Sequence, residues 1–177
     1  MMEIKSFAVD LARNAGALLK KKFNKTHKIQ FKGDINLVTE ADKMSENLII
    51  KSIRRAFPDH GILSEESPAV AGSGKIRWIV DPLDGTTNYA HGYPVFCVSI
   101  ALENDGNVVL GVIYDPMREE LFSTVRGKGV YLNGKKLSVS SIRDISRSLL
   151  ATGFPYDIRE SRENNLDYFS RMAVNVQ

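Results

Sequence analysis

The sequence has few of the side chains that form disulfides and transition-metal sites, with one cysteine and three histidines in 177 residues. A single cysteine excludes an internal disulfide and fits a reducing compartment, so we expect a cytoplasmic protein. Cys97 lies in the apolar run from Val95 to Ala101, which predicts a buried structural thiol and not a nucleophile. The histidines are not spaced as a metal-binding trio, since they stand at His27, His60 and His91.

Long hydrophobic runs and a large charge excess are also missing. No apolar run is long enough to cross a membrane, and charged residues interrupt the N-terminal region, so we expect neither membrane association nor a secretory signal. The net charge of +3 is too small to indicate a nucleic-acid partner. The 43% of hydrophobic residues can build a core, and the length suits one domain or one with part of another.

An octet at residues 81–88, D-P-L-D-G-T-T-N, is the most informative stretch. Asp81 and Asp84 follow an apolar run at 76–80 that is typical of a strand, so the acids stand where a strand ends and a turn begins. Two anions brought together there repel unless a cation joins them. Mg²⁺ prefers oxygen ligands and usually binds a substrate phosphate as well. The glycine and threonines that follow offer N–H groups and hydroxyls to an anion, which indicates phosphoryl chemistry.

A plain turn is the alternative interpretation, because Asp-Pro and Asp-Gly are common turn dipeptides. A second acidic pair favours the metal site instead. Glu65 and Glu66 follow the strand-like run Gly61 to Ser64. Both pairs therefore fall at the C-terminal ends of predicted strands, a favoured place for active sites in open α/β sheets.

These motifs together resemble the inositol monophosphatase family of metal-dependent phosphatases. The resemblance rests on G-I-L-S-E-E-S at 61–67 and W-I-V-D-P-L-D-G-T-T-N-Y at 78–89. It continues through V-S-I-A-L at 98–102 and G-K-G-V-Y-L-N-G at 127–134, and it reaches back to L-V-T-E-A-D at 37–42. It covers nearly the whole chain. The wider superfamily includes fructose-1,6-bisphosphatases and bisphosphate nucleotidases, which share the metal motif.

The resemblance implies a Mg²⁺-dependent phosphoric monoester hydrolase with two metal positions. Glu65 and Asp81 would ligate one Mg²⁺ together with the Leu83 carbonyl. Asp81 and Asp84 would share the second, and Li⁺ would inhibit by competing there. Glu66 is the alternative ligand from the residues alone, and the resemblance selects Glu65.

Catalytic and substrate-binding roles also follow from the resemblance. Thr86 would position the attacking water, Asp42 would orient the Thr86 hydroxyl, and Glu65 would help to accept the proton. The N–H groups of Gly85 and Thr86 would hold phosphate oxygens, while Asp84 would also face a substrate hydroxyl. A simple helix-capping role for Asp42, paired with the hydroxyl at position 39, is the alternative.

The expected reaction is hydrolysis of inositol monophosphate to inositol and phosphate by metal-activated water. Fructose bisphosphate and adenosine bisphosphates are alternative substrates for the same chemistry, and the partner is in each case a small phosphorylated polyol, sugar or nucleotide. The resemblance also implies a homodimer.

One family motif is absent. Family members carry a further metal-binding aspartate in a later W-D-x-A segment, whereas Ile79 follows the only tryptophan here, Trp78. An apolar face of helical period, made by Leu166, Phe169, Ala173 and Val176, also runs to the end. We therefore expect an interrupted chain. An inactive fragment that acts as a binding or dimerisation module is the alternative of a different class.

Periodicity predicts two helices followed by a run of strands. Apolar residues from Ile4 to Leu19 mark one face of a first helix, and a second helix ends before Pro58. Runs at 95–103 and 108–114 flank Asp-Gly and predict a hairpin. The pattern indicates an α+β fold with a largely antiparallel sheet. The resemblance implies a layered αβαβα sandwich, with residues 1–145 as its metal-binding half and 146–177 as the start of the other half.

Overall fold

The structure, a computed structural model, describes most of the chain in two compact units. The larger unit comprises Met1–Lys32 and Leu37–Leu137, and the described part of the smaller one lies within Ser138–Gln177. The predicted division at residue 145 stays a prediction. Described are residues 1–23, 29–31, 37–155, 158–161 and 164–176, with the backbone alone at 29–31 and 37–39.

The larger unit consists of three helices and nine strands within the described residues. Its helices are α1 (Met2–Lys22), α2 (Glu40–Ala56) and α3 (Thr86–Ala90). The strands are β1 (Ile29–Phe31), β2 (Leu37–Thr39), β3 (Gly61–Ser64), β4 (Ile76–Asp84), β5 (Cys97–Asn104), β6 (Asn107–Asp115), β7 (Glu120–Val125), β8 (Val130–Leu132) and β9 (Lys135–Lys136).

Seven of these strands form one sheet in the order β3-β4-β5-β6-β7-β8-β9. Every neighbouring pair is antiparallel except β3 and β4, which run parallel. Strands β1 and β2 form a separate antiparallel pair. The predicted α+β class with a largely antiparallel sheet is therefore confirmed.

Helices α1 and α2 pack against one face of this sheet, and the core lies between the helices and the sheet. The predicted apolar face of α1 is confirmed, because Ala8, Leu11, Ala15 and Leu19 are buried. Side chains alternate across each strand, so β5 buries every second residue against the helices. The main aromatic anchor is Trp78 on β4, which is 0% exposed. The buried residues of β5 are Val98, Ile100 and Leu102.

The predicted hairpin joins β5 to β6 through a two-residue turn. Asp105 and Gly106 both adopt positive φ angles, 52° and 75°. Such a pair matches the right-handed twist of the flanking strands, which explains why Asp-Gly is a strong hairpin signal. The same arrangement recurs at Asn133 and Gly134, between β8 and β9, with φ angles of 48° and 81°.

Trp78 satisfies its only polar group inside the core. Its Nε1–H donates to Nδ1 of His60 at 3.1 Å. The ring of Phe57 stacks on His60 with centroids 4.9 Å apart. Burial lowers the pKa of His60, so the neutral ring can accept this hydrogen bond. His60 therefore has a structural role.

The smaller unit contains a 3₁₀ turn, Ile145–Arg147, and helix α4, Leu166–Ala173. The predicted helix is confirmed from Leu166 to Ala173, whereas Val176, which the pattern also placed on its apolar face, lies beyond the end of α4. Phe169 of α4 packs its ring on Phe154, with centroids 5.6 Å apart. None of the helices in the described part of the chain has the length and apolar character needed to span a membrane.

The two faces of the sheet should differ in their contribution to stability. Ile100 on β5 is 0% exposed, whereas Ile113 on neighbouring β6 points to the other face and is 44% exposed. We expect Ile100→Ala to lower the free energy of unfolding by about 2–5 kcal/mol, because it leaves a cavity in the core. The matched change Ile113→Ala should cost less than half as much. Urea denaturation measures both, and equal losses would contradict the assignment of the core face.

Candidate active site

The two acidic segments meet because β3 and β4 are parallel neighbours. Their register pairs Gly61 with Arg77 and Ser64 with Val80. Directly after the last pair, the N–H of Glu65 donates to the carbonyl of Val80 at 3.2 Å. Glu65 and Asp81 therefore lie on adjacent strands at the same end of the sheet. Glu65 directly follows β3, as expected, whereas Asp81 and Asp84 lie within β4 and do not follow it.

The octet begins as a bulged strand and not as a turn. Strand β4 was predicted to end at Val80, but it continues to Asp84. Asp81 pairs with Ser99 and Asp84 pairs with Cys97, so one strand has an extra residue between the pairs. A bulge accommodates a proline, which cannot donate to the ladder, and Pro82 occupies this place. The N–H of Leu83, which follows the proline, donates to Asp81 Oδ1 at 3.1 Å.

Gly85 makes the sharp change from strand to helix. Its φ of +94° is strained for other residues, and a Cβ there would lie 3.0 Å from the carbonyl oxygen of Val95. Helix α3 begins at Thr86, and the N–H of Tyr89 closes the first turn on the Gly85 carbonyl at 2.9 Å. The amides of this first turn have no acceptor within their own helix, so they are available to an anion.

Helix α2 brings three polar residues to the same place. Asp42, Ser45 and Glu46 are buried on the helix face that also carries Ala41 and Ile49. The sequence interpretation did not single out Ser45 or Glu46. The signal that could have found them is a polar set at spacings of three and four on an otherwise apolar helix face.

The predicted catalytic pair is close together, but the hydroxyl has a nearer acceptor. Oγ1 of Thr86 lies 3.5 Å from Oδ1 of Asp42 and 2.9 Å from the carbonyl oxygen of Leu83. A hydroxyl has one proton to donate, and the shorter distance assigns it to Leu83. Asp42 is only 1% exposed and sits in the first turn of α2. The structure thus unites these three groups.

Burial and the crowding of carboxylates together set the electrostatics of the site. Burial, followed by the nearby charges of Glu65 and Asp84, raises the pKa of Asp81 to about 7, against a hydrogen bond from the Leu83 amide. Burial also raises the pKa of Cys97 to about 12, with a contribution from Asp84, whose Oδ2 is 3.6 Å from the sulfur. Cys97 is therefore a neutral thiol at physiological pH, which agrees with the prediction that it is not a nucleophile. The prediction that it is buried is wrong, because Cys97 is only partly buried.

The oxygen groups fit a hard dication. Within the described ranges, no three His, Cys, Asp or Glu side chains are arranged to enclose an ion by themselves. Mg²⁺ does not need such a cage, because it usually keeps several waters and takes one or two carboxylates plus a substrate phosphate. A cation would offset the burial and the repulsion that together hold the pKa of Asp81 high. The donors that fit are Glu65, Asp81, Asp84 and the Leu83 carbonyl.

A cleft next to these carboxylates has room for a small ligand. Its volume is about 350 Å³ and its walls include Asp84, Gly85, Asn88 and Cys97. Arg118 also borders it. Ligand pockets of this size are typical of small-molecule sites.

Comparison with known proteins identifies the family. The model of the inositol monophosphatase family matches residues 1–175. The chain belongs to this family. The resemblance inferred from the motifs and the predicted class of fold are therefore confirmed.

Individual relatives agree with this assignment. Inositol monophosphatase 1 of Solanum lycopersicum is 43% identical over 166 residues, which is 92% of this chain and 59% of the relative. The Nus factor SuhB of Pasteurella multocida (strain Pm70) is 44% identical over 154 residues, 85% of this chain and 58% of the relative. The solved inositol monophosphatase of Anabaena (Nostoc) sp. PCC 7120 matches with a TM-score of 0.88 and 42% identity, over 99% of this chain and 65% of that one. The chain thus spans less than two thirds of each of these proteins.

The crowded carboxylates should make the metal-free protein less stable as the pH rises. The pKa of Asp81, about 7, lies above the ordinary aspartate value of 3.8. The stabilising protonated form is therefore fully present below about pH 4, and its contribution is lost as the pH rises toward 7. Thermal unfolding in EDTA should show Tm falling across this range, and Asp81→Asn should flatten the fall.

The exposed Asp105 supplies the control for this titration, because it pairs with Lys75 at the surface. Asp105→Asn should keep the wild-type pH dependence. Mg²⁺ should raise Tm most above pH 7, where Asp81 is ionised. A Tm profile that Asp81→Asn leaves unchanged would show that this carboxyl is not the destabilising group.

Proposed function

We propose that this chain carries the metal-binding half of a Mg²⁺-dependent phosphatase that hydrolyses phosphate monoesters. The observation that supports this most strongly is the meeting of Glu65 and Asp81 at the ends of two parallel strands, where their repulsion calls for a cation. Glu65, Asp81 and the Leu83 carbonyl would hold one Mg²⁺, and Asp81 with Asp84 would hold a second. When bound, Mg²⁺ polarises a phosphoryl oxygen and lowers the pKa of water.

The residues of the chain would then orient the reactants. Amides of Gly85 and Thr86, at the start of α3, would hold phosphate oxygens. The Thr86 hydroxyl donates to Leu83 here, and its lone pairs would accept a hydrogen bond from the attacking water. For Asp42 to orient this hydroxyl, the proton would turn from the Leu83 carbonyl to the carboxylate, which lies 3.5 Å away. Glu65 is exposed to solvent and would take up the proton released from the water.

The proposed substrate is inositol monophosphate. Asp84 is exposed beside the cleft, where its carboxylate would accept a hydrogen bond from a substrate hydroxyl. The name of the relative from Solanum lycopersicum supports this choice. Other small phosphorylated polyols, sugars and bisphosphates stay alternatives for the same chemistry. Inhibition by Li⁺ at the second metal position, a homodimer and a cytoplasmic location belong to the same proposal.

Removal of one carboxylate charge should abolish turnover. The metal contributes several kcal/mol to the transition state, so Asp81→Asn should lower phosphate release from inositol monophosphate about a thousandfold or more. Asp105→Asn removes the same charge from the surface and should leave the rate unchanged. A phosphate-release assay over a range of Mg²⁺ concentrations measures both.

Near-normal turnover by Asp81→Asn would contradict the metal assignment. If the wild-type chain binds Mg²⁺ but releases no phosphate from any of these monoesters, the alternative of a binding module gains support.

The role of Thr86 can be separated from phosphate binding. Thr86→Ala keeps the backbone N–H but removes the hydroxyl, so we expect kcat to fall by about 10²–10⁴-fold with little change in KM. Thr87→Ala, a matched change at the exposed next position, should be nearly neutral. Steady-state kinetics distinguish the two parameters. A raised KM with normal kcat would make Thr86 a phosphate-binding residue only and would remove the proposed role of Asp42.

A further inference from the structure

We infer that Glu46 is a positioning residue that fixes Glu65 for metal binding, an inference that rests on the proposed function of Glu65. Glu46 belongs to α2 and is 5% exposed. Oε1 accepts a hydrogen bond from the hydroxyl of Ser64 at 2.5 Å, and Oε2 accepts one from the hydroxyl of Ser67 at 2.7 Å. One buried carboxylate thus joins a helix to two points of the segment that carries Glu65.

The two serines stand on either side of Glu65. Ser64 is the last residue of β3, and Ser67 lies in the loop beyond the Glu65–Glu66 pair. The backbone of Glu65 is held at a third point, because its N–H donates to Val80. A segment fixed before, at and after Glu65 has little freedom to let that side chain retreat from the charge of Asp81.

Repulsion makes such a restraint necessary. Glu65 and Asp81 come directly after the paired residues Ser64 and Val80 on parallel neighbouring strands, so their carboxylates repel each other when both are ionised. Glu65 itself is exposed and would rotate or drag its loop outward without a restraint. Two charge-assisted hydrogen bonds to a buried carboxylate are a stronger restraint than bonds between neutral groups.

The donors that satisfy Glu46 also suit a cation site. Among the described residues, no Lys or Arg forms an ion pair with Glu46. Hydroxyl donors hold the loop without bringing a positive side chain near Glu65, where it would compete with a dication. Each oxygen of Glu46 accepts a hydroxyl proton and the residue is buried, which fits a supporting role. Outer partners of metal ligands typically affect affinity by about 10–100-fold.

The same face of α2 also holds the segment that carries Asp81 and Asp84. The Ser45 hydroxyl donates to the Pro82 carbonyl at 2.8 Å, within the bulge between Asp81 and Asp84. Successive residues of α2 therefore restrain both segments that carry the proposed metal ligands. This supports a positioning role for the polar face of α2 beyond its contribution to burial.

Glu46→Gln tests the inference, because the amide keeps the shape of the side chain but has one acceptor oxygen in place of two. Mn²⁺ serves as the probe, and the concentration of free ion is measured by electron paramagnetic resonance. In Glu46→Gln we expect Mn²⁺ binding to weaken about 10–100-fold. We also expect the backbone N–H of Glu65 to exchange faster with deuterium. Ser67→Ala, which removes one of the two donors, should weaken binding less.

Two matched controls separate positioning from stability. Ser52→Ala removes a hydroxyl bond to the Leu48 carbonyl on the same helix and should change neither readout. Ile53→Val trims a buried residue of α2 and should lower Tm without weakening Mn²⁺ binding. Unchanged Mn²⁺ affinity in Glu46→Gln, with a loss of Tm like that of Ile53→Val, would overturn the inference. If Glu46→Gln does not fold, Ser67→Ala decides, and unchanged affinity there overturns it.

Failure of the proposed function is distinguishable. If the wild-type chain binds Mn²⁺ through Glu65 but hydrolyses no phosphate monoester, the proposed phosphatase function is contradicted. Weaker Mn²⁺ binding in the variants would still support positioning by Glu46. Should the wild-type chain bind no Mn²⁺, the exchange rate of the Glu65 amide decides. Faster exchange in Glu46→Gln than in Ile53→Val supports the restraint, and equal rates overturn it.

Discussion

Partial burial of the Asp81 carboxylate beside those of Glu65 and Asp84, which repel it, is the constraint on which the rest of the structure depends. A half-buried carboxyl whose pKa rises to about 7 stores unfavourable interaction whenever it is ionised without a counter-charge. Such an arrangement destabilises a protein unless a bound cation offsets the negative charge. The strained arrangement is therefore the physical reason for assigning the chemistry to this end of the sheet.

The surrounding structure holds the charges in place against this repulsion. Parallel pairing of β3 and β4 fixes Glu65 beside Asp81, and the bulge at Pro82 turns Asp84 into the same region. Helix α2 restrains the segments that carry Glu65 and Asp81 through Glu46 and Ser45. Because α2 is itself anchored by buried Ile49 and Ile53, the hydrophobic core transmits rigidity to the site.

Local chemistry made much of this predictable, while long-range pairing did not. The Asp105-Gly106 hairpin followed from positive φ preferences, and the acids of the octet followed from their types and spacing. The roles of Asp42, Glu65 and Thr86 came from the family resemblance. Neither the pairing of β3 with β4 nor the bulge at Pro82 could be predicted from the sequence, because each depends on a partner strand distant in sequence. Glu46 was missed for the same reason, since its partners Ser64 and Ser67 lie 18 and 21 residues away.

The most direct test of the account is the position of a bound dication. Crystals of the wild-type chain grown with Mn²⁺ give an anomalous signal that locates the ion without reference to activity. The account predicts a peak between the carboxylates of Glu65 and Asp81, in contact with the Leu83 carbonyl, and loss of that peak in Asp81→Asn. A peak elsewhere, or one that Asp81→Asn leaves in place, would contradict the claim that these crowded carboxylates exist to hold a metal ion.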